Sequence, residues 1–229
     1  MAGGEGTRLR PLTCDRPKPM VPIMNRPIME HILNLLKKHC FHDIGVTLQY
    51  LPEAIQSYFE DGSSRGFKIQ YFVEEVPLGT AGSVKNAESF LDETFLVISG
   101  DALTDIDLSS AVEFHRQRQA LATLVLVQVE NPLEYGVVIT DPEGRITRFL
   151  EKPSWGEVFS DRVNTGIYIL EPEALQLIKP GRNFDFSKDL FPLFLKKKLP
   201  LYGYVTAGYW CDIGNLTQYM QAHYDVLEQ

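Results

Sequence analysis

Short runs of consecutive apolar residues recur along the chain, separated by stretches in which apolar positions return every three or four residues. The runs Ile44–Leu48, Ile69–Val73, Phe95–Ser99 and Thr123–Val127 have the length and apolar content of strands buried on both faces. Between them the helical period predicts helices over Ile28–His39, Glu53–Phe59, Ala81–Leu91 and Leu108–Arg118. Strand and helix in alternation predict an α/β fold with a doubly wound, mostly parallel, Rossmann-like sheet. After Asn131 the texture changes. Shorter alternating strands, Gly136–Thr140 and Arg145–Phe149, are joined by the turn Asp141-Pro142-Glu143-Gly144, so the sheet should be mixed and flanked by a small β-rich lobe. A closing helix is expected over Leu216–Leu227. One domain over residues 1–229 accommodates this order, with halves of about 1–130 and 131–229. Met1 stands where a first strand would already be finishing, and the chain reads as a piece of something longer.

Composition narrows the function classes. With 229 residues, 44% of them hydrophobic, the chain can bury a full core. A formal charge of −8 leaves no basic stripe for a nucleic-acid backbone, and Lys196-Lys197-Lys198 reads as a solvated helix end. Cys14, Cys40 and Cys211 lack zinc-ligand spacing and suit reduced thiols. No apolar run approaches the ~20 residues that span a bilayer, so a soluble, cytoplasmic protein without a membrane partner is expected. A homo-oligomer is compatible with this composition.

The chemistry is concentrated at the start of the chain. Ala2, Gly3, Gly4, Gly6, Thr7 and Arg8 precede Pro17-Lys18-Pro19. Glycines let the backbone bring its N–H groups to phosphate oxygens, Arg8 offers a planar fork, and Lys18 a mobile charge. The pattern lacks the Gly-Lys-Ser/Thr end of a Walker loop, and Leu9 stands where a dinucleotide fingerprint needs glycine. A triphosphate pocket is the functional reading; a plain surface turn is the competing one.

Asp101 follows the strand Phe95–Ser99, at the strand end where open α/β sheets bind ligands. Mg²⁺ favours one or two carboxylates plus substrate phosphates, and Asp212, in Gly208-Tyr209-Trp210-Cys211-Asp212-Ile213-Gly214, is the best second acid. Each aspartate would also serve as a turn or cap residue. Asp105-Ile106-Asp107 resembles a metal-binding pair, but Asp107 is most simply the N-cap of the helix Leu108–Arg118. Pro77, Gly79 and Thr80 lie at a helix entrance whose N–H groups favour an anion or a base edge, and Glu74 and Glu75 stand just upstream. A carboxylate accepts two hydrogen bonds from guanine's N1–H and N2–H₂, which favours GTP over UTP; ordinary solvated acids are the alternative. Gly136, Glu151, Lys152, Asn164 and Thr165 lie in three short polar segments among apolar neighbours that could together hold a sugar phosphate, the ammonium on phosphate and the carboxylate and amide on hydroxyls. The glycine would make room for the ring, and the β-rich lobe would be the sugar-binding one. No role is assigned to Asp189, and the five histidines form no cluster.

Taken in order, GGEGTRLRPLT with PKPMVPI, PLGTAG, SGD, EYGVV, EKP, VNTGIYIL, FDFSKDLFP and GYWCDIG closely resemble the sugar-phosphate nucleotidylyltransferase (NDP-sugar pyrophosphorylase) family, and within it the mannose-1-phosphate guanylyltransferases. The resemblance covers nearly the whole chain. It implies transfer of a nucleotidyl group from a nucleoside triphosphate to a sugar 1-phosphate, with loss of pyrophosphate, and GTP with mannose 1-phosphate as substrates. It also implies that the Gly3 to Arg8 loop and Lys18 grip the phosphates, Glu74 or Glu75 and Gly79 the base, Asp101 and Asp212 the Mg²⁺, and Gly136, Glu151, Lys152, Asn164 and Thr165 the sugar phosphate. Arg8, Lys18 and Asp101 would carry catalysis. UTP or dTTP with glucose 1-phosphate is the alternative on the same fold, and a nucleotide-sensing domain without turnover is the alternative of another class. Family members continue beyond the last helix into a left-handed β-helix, and the bacterial forms most like this chain carry a phosphomannomutase-like region; neither is present in these residues.

Overall fold

The computed structural model describes residues 1–228, in which the expected alternation is realised. The strands are β1 (Pro22–Ile23), β2 (Arg26–Pro27), β3 (Asp43–Leu48), β4 (Lys68–Val73), β5 (Phe95–Ile98), β6 (Ala102–Thr104), β7 (Ala122–Gln128), β8 (Gly136–Thr140), β9 (Ile146–Glu151), β10 (Arg162–Leu170), β11 (Leu201–Val205) and β12 (Trp210–Asp212). The helices are α1 (Ile28–Lys38), α2 (Pro52–Phe59), α3 (Gly79–Asn86), α4 (Leu108–Arg118), α5 (Phe191–Lys197) and α6 (Leu216–Glu228). The chain forms two compact units that interleave in sequence. The first takes Met1–Pro77, Ser99–Asp105 and the chain from Tyr209 onward; the second takes Leu78–Ile98 and Ile106–Gly208. Residue 130 lies inside the second unit.

In the first unit β3 and β4 pair in parallel from Asp43 with Lys68 to Leu48 with Val73. α1 turns Ile28, Met29, Ile32, Leu33, Leu35 and Leu36 inward, packs on β6, and ends with Lys37 and Lys38 at the negative pole of its dipole. β1 and β2 form a hairpin whose two loop residues, Met24 and Asn25, both adopt positive φ, as the twist of a two-residue hairpin demands.

The second unit is built on a six-stranded sheet in the order β11-β7-β10-β8-β9, with β5 beside the far end of β10. β7 is buried from Ala122 to Val127, which is why it reads as an unbroken apolar run. The mixed α/β class holds, but the mostly parallel hydrogen bonding expected of the sheet does not. Parallel ladders occur between β3 and β4 and between β7 and β11; β10 runs antiparallel to β5, β7 and β8. β5 and β7 still point the same way, with β10 inserted between them from later in the chain. A pattern of local apolar runs carries no information about that insertion. Asp107 caps α4 by accepting from the Ser110 N–H, the structural role expected for it. Phe149, Tyr168, Phe186 and Phe191 form an aromatic cluster with ring centroids 4.8 to 5.7 Å apart.

Candidate functional site

The expected site residues gather in two groups, one in each unit. In the first, the chain start is tied down on both sides: Ala2 N–H donates to the Thr47 carbonyl at 2.9 Å, and the Met1 carbonyl accepts from Gly100 N–H at 2.7 Å. The glycine loop comes next. A Cβ on Gly4 would meet nothing within 4 Å, whereas one on Gly6, at φ 64°, would stand 2.9 Å from Lys18 Cβ and 3.0 Å from Thr13 Cγ2. Gly6 therefore serves both its left-handed backbone and the close seating of Lys18. Thr13, itself buried, donates its hydroxyl to the Gly6 carbonyl at 2.8 Å. Leu9 plugs the short helical turn Thr7–Leu9 into the core.

β6 and β12 then do what residue spacing could not show. Their antiparallel register sets Asp212 opposite Ala102, and Ile213 N–H reaches the Asp101 carbonyl at 3.3 Å, so the two aspartates come side by side from opposite ends of the chain. Lys18 lies between them, nine-tenths buried, with Nζ 2.7 Å from Asp101 Oδ2 and 3.6 Å from Asp212 Oδ1. Ser99 donates its hydroxyl to the other oxygen of Asp101. Burial pushes the Asp101 carboxyl up, but the Lys18 charge and the hydrogen bonds from Lys18 and Ser99 outweigh it and hold the group below its ordinary value. Asp212 goes the other way. Burial and the Asp101 charge raise it, and Lys18 and Arg8 only partly offset them. Two hard oxygen donors thus share one ammonium, and one of them is left short of positive charge, an arrangement that fits a divalent cation completed by phosphate oxygens and water. Among the described residues no third acid, histidine or cysteine joins the pair.

Glu74 is buried just beyond β4 with its N–H on the Leu48 carbonyl, while Glu75 and Pro77 are exposed. Ala2 N–H is held by the Thr47 carbonyl and Glu74 N–H by the Leu48 carbonyl next to it, which sets Glu74 beside the start of the loop.

The second group lies around β8, β9 and β10. Gly136 pairs with Glu151 across the ladder, and a Cβ there would strike Phe149 Cζ at 2.7 Å and Glu151 Oε2 at 2.8 Å. Glycine at 136 thus leaves room for these two side chains. β10 bulges between Asn164 and Tyr168, with Gly166 at φ 77°. The bulge aims Asn164 Nδ2 at Tyr168 Oη, 2.9 Å away, and at Ser187 Oγ, 3.4 Å away, while Asn164 Oδ1 accepts from Gly166 N–H. The Glu151 carboxyl is raised by burial and by the Asp185 charge, with Ser187 and Lys152 only partly opposing them. Thr165 is buried and donates to the Val125 carbonyl at 2.8 Å, so its hydroxyl holds the bulge to β7. Lys152, exposed at φ 46°, hangs from the Tyr135 carbonyl by its N–H.

The start of α3 also departs from expectation. Its N–H groups at Ala81 and Gly82 both go to the Phe184 carbonyl at 2.9 Å, and Thr80 Oγ1 donates to Asp185 and accepts from Phe186 N–H, each at 2.9 Å. These groups are capped from within the chain and are not free for an anion or a base. Gly79, at φ 72°, admits the same segment, since a Cβ would stand 2.7 Å from the Phe184 carbonyl oxygen. Asp189 accepts from Asp185 N–H at 2.8 Å and closes the turn that presents Ser187. Sequence alone does not mark out Ser99, Thr13, Asp185 or Ser187, although the SGD and FDFSKD segments contain three of them.

A family model described as nucleotidyl transferase matches residues 1–229. The chain is 43% identical over 243 aligned residues to a UTP–glucose-1-phosphate uridylyltransferase of Synechocystis, covering 100% of this chain and 63% of that protein. It is 37% identical over 229 residues to a mannose-1-phosphate guanylyltransferase of Mycobacterium tuberculosis, covering 99% of this chain and 63% of that protein. The chain thus spans just under two thirds of the length of these curated relatives. Among solved structures, a putative glucose-1-phosphate thymidylyltransferase from Bacillus anthracis in complex with a sucrose superposes with a TM-score of 0.89 at 25% identity, covering 100% of this chain and 94% of that one. HddC from Yersinia pseudotuberculosis, complexed with GMP-PN, superposes at 0.84 and 28% identity, covering 98% and 96%.

Proposed function

The chain belongs to the nucleotidyl transferase family, and from that premise we propose that it transfers a nucleotidyl group from a nucleoside triphosphate to a sugar 1-phosphate and releases pyrophosphate. The observation that carries the reading is the Lys18 ammonium between Asp101 and Asp212 at the foot of a glycine loop. Asp101 and Asp212 would hold Mg²⁺, which would neutralise charge on the phosphate oxygens. The loop from Gly3 to Arg8 would take the triphosphate on its backbone N–H groups and the Arg8 guanidinium, and Lys18 would balance the charge that gathers as pyrophosphate leaves. The sugar phosphate is an anionic nucleophile and needs no general base, so in-line attack at the α-phosphorus rests on positioning and charge. Glu151, Lys152 and Asn164 would position the sugar phosphate, with Gly136 and Thr165 shaping the strands that carry them.

For substrates we favour GTP and mannose 1-phosphate. The buried Glu74 carboxylate beside the loop suits guanine's paired donors, and the mycobacterial relative carries that name. UTP or dTTP with glucose 1-phosphate is the second reading, favoured by the name of the Synechocystis relative. Pyrophosphate release from GTP, UTP, dTTP, ATP and CTP, each against mannose, glucose and N-acetylglucosamine 1-phosphates, separates them. Signal confined to GTP with mannose 1-phosphate supports the first reading; signal with UTP or dTTP and glucose 1-phosphate overturns the guanine argument and keeps the chemistry.

A further inference from the structure

The strand that carries Asp212 is gripped at both ends by α6. Beyond its far end, Gly214 N–H donates to Gln218 Oε1 at 2.9 Å as well as to the Asp212 carbonyl at 2.9 Å, so the glutamine closes the turn Asp212-Ile213-Gly214. The fit is tight: a Cβ on Gly214 would stand 2.8 Å from Gln218 Oε1 and 3.2 Å from Asp212 Oδ2. Gln218 is itself fixed by its N–H on Asn215 Oδ1 at 2.9 Å. Before the strand, Tyr209 Oη donates to Asp225 Oδ2 at 2.6 Å, and Gln221 Nε2 steadies the other oxygen of Asp225 at 2.7 Å. The Tyr209 backbone is meanwhile locked to Asp105 and Thr104, so the phenol can hold the strand end in only one place.

The ladder with β6 sets the Asp212 backbone opposite Ala102, but β12 is three residues long and Asp212 is its last. Only the Ile213 N–H bond to the Asp101 carbonyl continues the pairing past it, so the direction of its side chain rests on the turn that follows. We propose that Gln218 is a positioning residue for Asp212, and that Asp225, through Tyr209, steadies the same strand from its other end. α6 thereby sets how far Asp212 stands from Asp101, and so how well the two carboxylates accept one divalent ion. This rests on the assignment of Asp101 and Asp212 as the metal site made above. Partners that orient a metal ligand are worth about 10- to 100-fold in metal affinity.

The test is binding of Mn²⁺ alone, monitored by electron paramagnetic resonance on the full chain, with Asp212→Asn as reference and thermal unfolding of the metal-free protein alongside. Gln218→Ala should weaken Mn²⁺ binding about 10-fold while Asp212→Asn abolishes it. Gln218→Glu, which keeps an oxygen for the Gly214 N–H, should restore binding. Tyr209→Phe, which loses only the hydroxyl, should weaken it by a smaller factor. In turnover, Gln218→Ala should raise the Mg²⁺ concentration for half-maximal rate with little change in kcat at saturation. Wild-type Mn²⁺ affinity in Gln218→Ala and Tyr209→Phe, with binding lost in Asp212→Asn, would overturn the clamp and leave the metal site standing. Unchanged binding in Asp212→Asn would remove the metal site, and the clamp with it.

Discussion

Replacing Lys18 by Met removes the ammonium while keeping most of the side-chain volume, so it isolates the charge held between Asp101 and Asp212. Breaking a buried ion pair on one side costs about 3–5 kcal/mol because a charge is stranded. Here both carboxylates stay about one-third exposed and can be rehydrated, which brings the expected cost to about 2 kcal/mol at neutral pH. For a chain of this size that corresponds to a fall in Tm of roughly 4–8 °C. The effect has a sign in pH. In the wild type Asp101 is held below its ordinary value, so its stabilising contribution is present above that value, near 3.8, and is lost only as pH falls through the depressed one. Without Lys18 both carboxyls are raised, so their penalty is greatest at neutral pH and is relieved as pH falls toward 3.8. Calorimetry of both proteins from about pH 7 down to about pH 4.5 should therefore show the gap in Tm narrowing with acid. A gap that stays constant over that range would mean that Lys18 contributes by packing, and the electrostatic account of the site would fail.

Other outcomes are tied to particular contacts. Gly6→Ala places a Cβ against Lys18 and Thr13 at φ 64°, so it should cost about 1–2 kcal/mol in conformation alone and raise the KM for the nucleotide more than that for the sugar phosphate; equal effects on both would detach the loop from the nucleotide. His115 is buried between Thr123 and Glu171, and burial lowers its pKa against the opposing pull of Glu171. The unfolded chain then binds the proton first, so unfolding free energy should decline as pH falls below about 6.5, and His115→Gln should flatten that slope in denaturant titrations. An unchanged slope would place the acid sensitivity elsewhere. Glu151→Gln should raise the KM for the sugar phosphate about 10-fold, the worth of one hydrogen bond to a charged acceptor, and leave the nucleotide KM within about twofold; steady-state kinetics with each substrate varied in turn decides it.

Much of the fold is written in local patterns. The strand-length apolar runs, the helical periods of α1, α4 and α6 and the N-cap at Asp107 each depend on neighbours within a few residues, and each element is found where it was expected, although only β7 is buried along its length while β3, β4 and β5 keep partly exposed positions. What local pattern does not carry is which strands pair. The insertion of β10 between β5 and β7 and the apposition of β12 with β6 join segments far apart in sequence, and the second of these is what brings Asp212 to Asp101. The candidate residues were legible because glycine, lysine and aspartate stand out among apolar neighbours. Their supports were less so. Ser99, Ser187 and Gln218 are ordinary polar residues until a long-range contact gives each a partner, and the glycines at 79 and 136 answer to the chain's own atoms at close quarters.

The central claim is tested most directly by pyrophosphate release from GTP with Mg²⁺, measured with and without mannose 1-phosphate, for the wild-type chain and for Asp101→Ala. Release that requires the sugar phosphate and is lost in the variant is the predicted result. Tight GTP binding without release at any sugar 1-phosphate would contradict it and point to a domain that senses nucleotides without turning them over.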